Sequence, residues 1–440
     1  YEDDHDHEEL ENSDGFIANT GGDADTYTFG TSYHFGEGSY FGLAYNSFET
    51  NYGIPPGAHD HDHDEEHEHG HEEDHDHEEH ADGGEHGHEH GEEDIRISLK
   101  QERYDAQLQL SELAPGFIDM ARGFLTYTDY EHAELEGTEV GTQFDRSTWE
   151  GRLELVRQGD GDSVLGLQWR ADDFEAVGME AYVPQTDSTE WGVFYLQDFH
   201  LEDWRFEVGG RADYVERDPQ AGSSDDFTSF SVSGAGVYSV GPGWTVGFAL
   251  SRAERAPSTE ELYANLGNSD DALVTHAAVG VISIGDTGLD TEVSLNADLS
   301  LNWEGGRSFA ELTLYYNDFE DYIFQLNTGT DIDETPVYAY QQDDATFYGL
   351  ELQSSFHLAT VANGDLALGV FGDVTVGELD DAGDVPRLPP LRIGSELSWR
   401  SASLGGFIRV INAGDQEAPG AFETETDGYT RWDAGVDYQM

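Results

Sequence analysis

Most of this chain alternates apolar and polar residues with a period of two. The pattern is clearest in residues 295–303 (LNADLSLNW), 165–171 (LGLQWRA) and 310–316 (AELTLYY). Successive side chains of a β-strand point to opposite faces, so such segments form strands with one apolar face and one polar face. No apolar run is long enough for a transmembrane helix. The predicted fold class is therefore all-β.

The connections between the predicted strands decide between a soluble sandwich and a membrane barrel. The sequence contains about 17 strand-like segments, and the connections between them alternate between short and long. Short turns at one rim and long loops at the other are typical of a transmembrane antiparallel β-barrel, with the long loops outside. The predicted short turns are residues 36–38, 114–116, 159–161, 201–203, 241–243, 304–306, 361–364 and 401–403. The predicted long loops are residues 53–94, 132–144, 178–188, 217–228, 253–289, 323–337, 378–388 and 414–428.

The number of strands predicts an incomplete barrel. Single-chain bacterial barrels have an even number of strands and must close, because an open sheet edge leaves backbone groups unsatisfied in lipid. A count of about 17 strands is odd, and the first residue is Tyr rather than Met. We therefore expect a segment of a longer protein, with strands missing at both ends.

One predicted outer loop, residues 53–94, is rich in histidine and in acidic residues. Twelve histidines lie between positions 59 and 90, and no aliphatic residue larger than Ala separates them. Neutral imidazole binds Zn, Ni and Cu, while neighbouring carboxylates add oxygen ligands and hydrogen-bond partners for the second ring nitrogen. We predict that the loop binds metal. The alternative is that it is only a solvated acidic segment. The candidate ligands are His59, His61, His63, His67, His69, His71, His75, His77, His80, His86, His88 and His90.

The ligand types narrow the choice of metal. The chain has no cysteine, and the histidine-rich loop has no methionine. This argues against Cu(I), since Cu(I) selects thiolate and thioether ligands. Zinc is the first candidate as the bound or transported ion, with nickel and copper(II) behind it. Residues 3–9 (DDHDHEE) are either a smaller copy of the same chemistry or a frayed acidic terminus.

Charge limits the possible partners. The chain has 93 acidic and 19 basic residues, and its first basic residue is Arg96. Such a surface would repel a phosphate backbone, so nucleic acid is excluded as a natural partner. The acid excess either attracts cations toward the molecule or reflects life in a salty medium, and the two interpretations are compatible.

Several stretches resemble the TonB-dependent outer-membrane receptors. Residues 251–264 (SRAERAPSTEELYA) resemble the mid-barrel signature of that family, and residues 340–351 (YQQDDATFYGLE) and 386–394 (PRLPPLRIG) resemble two later motifs. Residues 40–45 (YFGLAY) and 52–55 (YGIP), which lead directly into the histidine-rich loop, resemble the zinc-uptake branch. The resemblance covers essentially the whole chain.

The resemblance implies a barrel of about 22 strands in the outer membrane of a Gram-negative bacterium, filled by an N-terminal plug. Such a receptor contacts outer-membrane lipid, captures zinc or another divalent transition metal outside, and imports it when the TonB complex pulls on the plug. We expect residues 1–440 to be a partial barrel without the plug. The alternative is a receptor for a siderophore, cobalamin or other metal chelate, with the loop as an accessory scavenger.

The resemblance also points to one histidine outside the loop. Related receptors of this branch carry a histidine two residues after the glycine that follows Glu-Leu-Tyr. Here Gly267 is not followed by such a histidine, and His276 is the candidate equivalent after an insertion. Asp270 and Asp271 would give His276 a mixed nitrogen and oxygen site of the kind zinc accepts, although an exposed polar loop also explains them.

The remaining histidines and the motif content predict no further chemistry. No G-x-S-x-G motif for a serine nucleophile is present, and the protein is not predicted to be an enzyme. Single histidines are more often structural than liganding. Structural roles are therefore expected for His34, His132, His200 and His357.

Overall fold

The computed structural model describes residues 19–55, 95–137, 139–159, 161–178, 181–269, 272–276, 279–333 and 335–439. These ranges contain 19 strands and one short α-helix. No helix in the described ranges is long and apolar enough to cross a membrane. The strands are β1 (Gly22–His34), β2 (Tyr40–Gly53), β3 (Ile95–Ala114), β4 (Ile118–Glu136), β5 (Glu139–Arg157), β6 (Ser163–Gly178), β7 (Thr186–Leu201), β8 (Trp204–Pro219), β9 (Asp225–Gly241), β10 (Trp244–Arg255), β11 (Ile282–Ile284), β12 (Glu292–Gly305), β13 (Ser308–Ile332), β14 (Thr335–Val361), β15 (Gly364–Leu379), β16 (Gly383–Asp384), β17 (Arg392–Arg400), β18 (Leu404–Ala413) and β19 (Tyr429–Tyr438), and the helix is α1 (Thr259–Tyr263).

The long strands form one antiparallel meander. When the short strands β11 and β16 are left out of the 19, the remaining 17 follow one another, each hydrogen-bonded to the next. The strand β11 adds a short parallel pairing to β14. The predicted all-β antiparallel fold and the predicted number of strands are confirmed.

The connections alternate between two rims, as the sequence predicts, and all the predicted short turns separate strands at one rim. Three predicted long loops are wrong. Most of residues 132–144, 217–228 and 323–337 lies in strands, because β4 with β5, β8 with β9 and β13 with β14 continue as paired hairpins almost to their tips. Gly137 (φ 57°) and Asp333 (φ 48°) adopt the left-handed conformation that such tight turns need. We call the opposite end of the sheet, which holds these hairpin tips and the longer connections, the long-loop rim.

The sheet has one apolar and one polar face, as the alternation predicts. Aromatic side chains on the apolar face form two rows, one beside the short turns and one of paired residues that runs obliquely across the strands. The oblique row contains Phe29, Tyr45, Tyr104, Tyr127 and Trp149 on β1 to β5, then Trp169, Trp191 and Tyr214 on β6 to β8, and it is farther from the short turns on β8 than on β1. The row beside the short turns contains Trp204, Tyr238, Trp244, Trp303 and Phe356.

On β8 the distance between the two rows matches the apolar layer of a membrane. Trp204 and Tyr214 lie ten positions apart on β8, which corresponds to about 33 Å along a strand. At a barrel tilt of about 40°, this becomes about 25 Å along the membrane normal, the height of the apolar band of outer-membrane barrels. On this strand the two rows therefore have the spacing of two membrane interfaces.

The polar face carries arginines that are paired with carboxylates. In several strands an arginine and an acid stand two positions apart, on the same face, at salt-bridge distance. Asp172 and Glu154 are nearly buried, and each accepts from two arginines. The pairs spaced by two residues are Arg103–Asp105, Arg152–Glu154, Arg170–Asp172, Arg211–Asp213 and Arg431–Asp433.

Candidate functional site

The connection between β10 and β12 folds back over the polar face at the long-loop rim. We call the described part of residues 256–291 the shelf. Leu262 and Tyr263 of α1 are fully buried, and Ala264 packs in the same cluster as Phe144, a polar-face residue of β5. The shelf is therefore held to the wall of the sheet by its own small hydrophobic core.

Local hydrogen bonds fix the start of the shelf. The Ser258 hydroxyl accepts from the Glu261 backbone N–H (3.2 Å), and the Glu261 carboxylate accepts from the Ser258 N–H (2.7 Å), which is a capping box. One turn later, the Tyr263 phenol donates to the Asp225 carboxylate (2.8 Å) on β9. The residues Ser-x-x-Glu thus start the helix, and the tyrosine ties it to the sheet.

A buried asparagine ties the middle of the shelf together. The Asn265 amide donates to the carbonyls of Val274 and Ser283, both at 2.9 Å, and its oxygen accepts from the Val274 N–H at 2.8 Å. Asn265 is 4% exposed and has a left-handed φ of 53°, a conformation that Asn adopts more readily than most residues. These bonds hold the backbone just before His276 in one position.

His276 lies where the shelf meets the wall. Its backbone N–H donates to the Val281 carbonyl (2.9 Å), and its ring stacks on the Tyr182 ring, with centroids 4.7 Å apart. Its Nε2 atom is 3.9 Å from the Glu134 carboxylate on β4. Burial lowers the pKa of His276 below its usual range, which favours the neutral ring that can bind a metal.

Strand pairing brings further polar groups to the same place. Glu134 is 3% exposed and stands opposite Thr142, which is fully buried. Within the described ranges, the Thr142 hydroxyl has no hydrogen-bond partner. His132 lies two residues before Glu134 on the same face, and its ring stacks on Phe144 at 4.4 Å. A buried carboxylate, two imidazoles and a hydroxyl therefore meet at this end of the wall.

This arrangement offers the beginning of a metal site. Zinc accepts histidine nitrogen and carboxylate oxygen together, and a closed site usually has four ligands. His276 and Glu134 provide one ligand of each kind. Among the described residues, no three histidine, aspartate or glutamate side chains converge well enough to hold an ion. The pair could thus supply two ligands of a metal ion, with the other positions taken by water or by further ligands.

The histidine-rich loop joins the sheet beside this pair. The Ile54 N–H donates to the Ile95 carbonyl (2.9 Å), and the Asn19 amide donates to the carbonyls of both residues (2.7 Å each). Two positions after Ile95, Ile97 stands directly opposite Glu134 on the next strand. Ile54 and Ile95, the described residues that flank the loop, therefore lie near Glu134, within about two residue positions along the strands.

The other predicted site residues fall into two groups. The twelve histidines of residues 59–90, residues 3–9, Asp270 and Asp271 lie outside the described residues. Three isolated histidines lie toward the short turns, away from His276, where they contact Tyr40, Asp198 and Asp365 respectively. These are His34, His200 and His357.

Comparison with known proteins decides the family. The model of a family described as "TonB dependent receptor-like, beta-barrel" matches residues 8–440. The chain belongs to the TonB-dependent receptor family. TonB-dependent receptors are outer-membrane proteins of Gram-negative bacteria and not enzymes, so the predicted location and the predicted membrane barrel are confirmed.

Two relatives of this TonB-dependent receptor are curated proteins of Vibrio cholerae serotype O1. Each is named "Iron-regulated outer membrane virulence protein" and is 27% identical over 336 residues, which cover 72% of this chain and 48% of the relative. The chain therefore spans about half the length of these relatives.

Solved structures show the same fold. The copper transporter OprC superimposes with a TM-score of 0.72 at 14% identity, over 96% of this chain and 64% of its own. The FrpB iron transporter of Neisseria meningitidis (F3-3 variant) has a TM-score of 0.68 at 13% identity, over 96% and 66%. The siderophore receptor PirA of Acinetobacter baumannii has 0.64 at 12%, over 98% and 66%.

Sequence reasoning missed two members of the site. Glu134 falls in a stretch predicted to be a long loop, so the receptor wall was not expected to extend that far. The period-two pattern of Tyr130, His132 and Glu134 is the signal that could have placed this carboxylate on the polar face of a strand. Tyr182 carries no such signal, because its position depends on how two separate connections fold against each other.

Proposed function

We propose that this protein is an outer-membrane receptor that captures a divalent transition metal outside the cell for TonB-dependent import, with zinc as the first candidate. The observation that carries the proposal is the His276–Glu134 pair beside the ends of the histidine-rich loop. The loop would concentrate the ion, and the pair on the rigid wall would receive it. TonB, through a plug, and outer-membrane lipid are the proposed partners.

The ligand chemistry supports this proposal. A neutral imidazole and a carboxylate suit zinc, and the same nitrogen donors suit nickel and copper(II). Glu134 is buried and His276 is partly buried, which removes much of the competing water and strengthens their attraction for a cation. A receptor for a siderophore, cobalamin or another metal chelate is the second candidate. The similarity in fold to the FrpB iron transporter and the siderophore receptor PirA favours that candidate.

Uptake competition separates the two candidates. We expect cells that make the full-length receptor to take up zinc, with nickel and copper(II) competing and a ferric siderophore complex having no effect. The reason is that the proposed ligands bind the bare ion and do not recognise a chelate. The measurement is the initial rate of radioactive zinc uptake with each competitor in excess. Saturable import of the siderophore complex without zinc import would instead support the second candidate.

The pH dependence of metal binding should differ between the wall pair and the loop. Protons compete with metal for imidazole, so a histidine of lower pKa keeps its metal to a more acidic pH. Burial lowers the pKa of His276, whereas the carboxylates within residues 59–90 should raise the pKa of the histidines there. We expect a receptor that lacks residues 59–90 to lose zinc at a lower pH than the complete receptor.

The measurement is zinc occupancy of the two purified receptors during an acid titration. A midpoint for the shortened receptor at or above that of the complete receptor would contradict the assignment of His276 as a ligand.

A further inference from the structure

A second group of polar oxygens lies on the other side of Tyr182. The Glu260 carboxylate accepts hydrogen bonds from two phenols, Tyr182 at 3.3 Å and Tyr340 at 3.2 Å, and both reach the same oxygen, Oε1. The three residues come from three separate parts of the chain: the connection after β6, helix α1 and strand β14. Folding alone brings these oxygens together.

The surroundings of this group are largely apolar. Tyr182 is 6% exposed and packs with Phe144, Val183 and Ala264, while Tyr340 packs against both hydrophobic clusters of the shelf. Burial and the Glu260 carboxylate raise the pKa of the Tyr182 phenol, so without a metal the phenol keeps its proton.

The neighbouring acid has a different role. Glu261 is engaged by Arg255 (2.8 Å) and by the helix cap. Glu260 instead presents its carboxylate to the two phenols of Tyr182 and Tyr340. It is partly exposed, which leaves a route from solvent to the group. The helix thus uses one acid for its own stability and directs the other toward the two tyrosines.

We propose that Tyr182, Tyr340 and Glu260 form a binding site for ferric iron. Phenolate and carboxylate oxygens are hard anionic donors, which suit a small, highly charged cation better than nitrogen or sulfur donors do. Two phenolates and one carboxylate carry three negative charges, which neutralise one Fe(III) ion. The same ligands around Zn(II) would leave a net negative charge in an apolar environment, which is costly.

The spacing of the oxygens fits one shared ion. Oxygen ligands about 2.0 to 2.1 Å from a metal lie about 2.8 to 3.4 Å apart when they occupy neighbouring positions of an octahedral or tetrahedral site. The two phenol-to-carboxylate distances, 3.3 and 3.2 Å, lie within that range. On binding, the two phenol O–H bonds break and their protons pass to solvent, three Fe–O bonds form, one of them to the Glu260 carboxylate, and water or carrier ligands of the ion are released, with no change of oxidation state.

The ferric site is distinct from the His276–Glu134 pair and does not depend on the zinc proposal. The two groups share only the ring of Tyr182, whose face stacks on His276 and whose hydroxyl points to Glu260. Nitrogen with a single carboxylate lies on one side, and oxygen donors alone lie on the other. The rim would therefore bind different cations at two adjacent sites, according to the ligands that each cation prefers.

Spectroscopy of the full-length receptor in detergent tests the ferric site directly. On addition of ferric nitrilotriacetate, we expect a visible phenolate-to-iron charge-transfer band at one iron per receptor, which zinc does not produce. Tyr182→Phe and Tyr340→Phe should each weaken the band at least twofold, and the double variant should abolish it. Glu260→Gln should lower the iron affinity at least tenfold, because one anionic ligand is lost.

A third tyrosine provides the matched control. The Tyr263 phenol is also buried in the shelf and also donates to a carboxylate, but to Asp225 and not to Glu260. Tyr263→Phe should therefore leave the band unchanged, and it reports whether a weakened shelf alone affects iron binding. Resistance to protease in each variant checks that the shelf is folded. The absence of a band in the unmodified receptor, or its persistence in a folded double variant, would overturn the proposal.

Discussion

Deletion of residues 59–90 is expected to lower zinc uptake about tenfold or more when zinc is scarce, and to leave uptake nearly unchanged when zinc is ample. A tethered cluster of weak ligands raises the local concentration of an ion, as a linked module raises effective concentration, and this matters only below saturation of the receiving site. Twelve histidines within this stretch of sequence make the tether dense in ligands. The measurement is the initial rate of radioactive zinc uptake by cells that make the full-length receptor.

A second variant distinguishes the contribution of the histidine ligands from that of the acidic charge. Replacement of the twelve histidines by asparagine keeps the length of residues 59–90 and all their acidic residues. If the imidazole groups bind the captured ion, this variant should behave like the deletion. If the acidic residues capture the ion by electrostatic attraction, zinc uptake should remain close to that of the unmodified receptor. Equal loss at scarce and ample zinc in the deletion would place the transport site in the loop itself.

His276→Ala and Glu134→Gln are each expected to lower zinc uptake about 10- to 100-fold at both zinc levels, which is the loss typical when a group that supports a metal site is removed. Their side chains lie 3.9 Å apart on rigid parts of the fold, so neither can be replaced by a neighbour without rearrangement. Unlike the loop deletion, the defect should persist at ample zinc, because the receiving site itself is damaged.

His200→Ala is the matched control for these variants. His200 is also a single histidine near an acid, Asp198 (3.9 Å), but its side chain is 59% exposed and it lies beside a short turn, away from the shelf. Its removal should leave zinc uptake unchanged. A defect confined to scarce zinc in His276→Ala would assign His276 to the capture step, and no defect in either variant would remove the wall pair from the transport route.

Much of the fold follows from local pattern. Strands such as β12 are specified by strict alternation over residues 295–303, because a shift of one position would move every apolar side chain to the polar face of the sheet. The short turns are specified by glycine-containing stretches such as residues 241–243, where Gly243 has a φ of 78°. These features depend on a few neighbouring residues, so they can be predicted from the sequence alone.

The candidate site could not be predicted in the same way. His276 and Glu134 are more than a hundred residues apart in sequence, and they meet only because the shelf folds back onto β4. That folding depends on contacts such as the Asn265 hydrogen bonds and the packing of Leu262, which have no periodic signature. The tyrosines around Glu260 share this property, since each of the three residues comes from a different connection or strand.

The paired arginines of the polar face have a consequence for how long a cation stays on the wall. A lone carboxylate facing the interior would hold a divalent ion, and a series of them would slow its passage at every step. Here carboxylates such as Asp172 and Glu154 are already neutralised by arginine. Conduction requires that binding be weak enough for release. Under the proposed function, an ion that leaves the rim along β4 to β6 would meet carboxylates that arginine already holds, so its dwell time on this part of the wall would be set at the entrance.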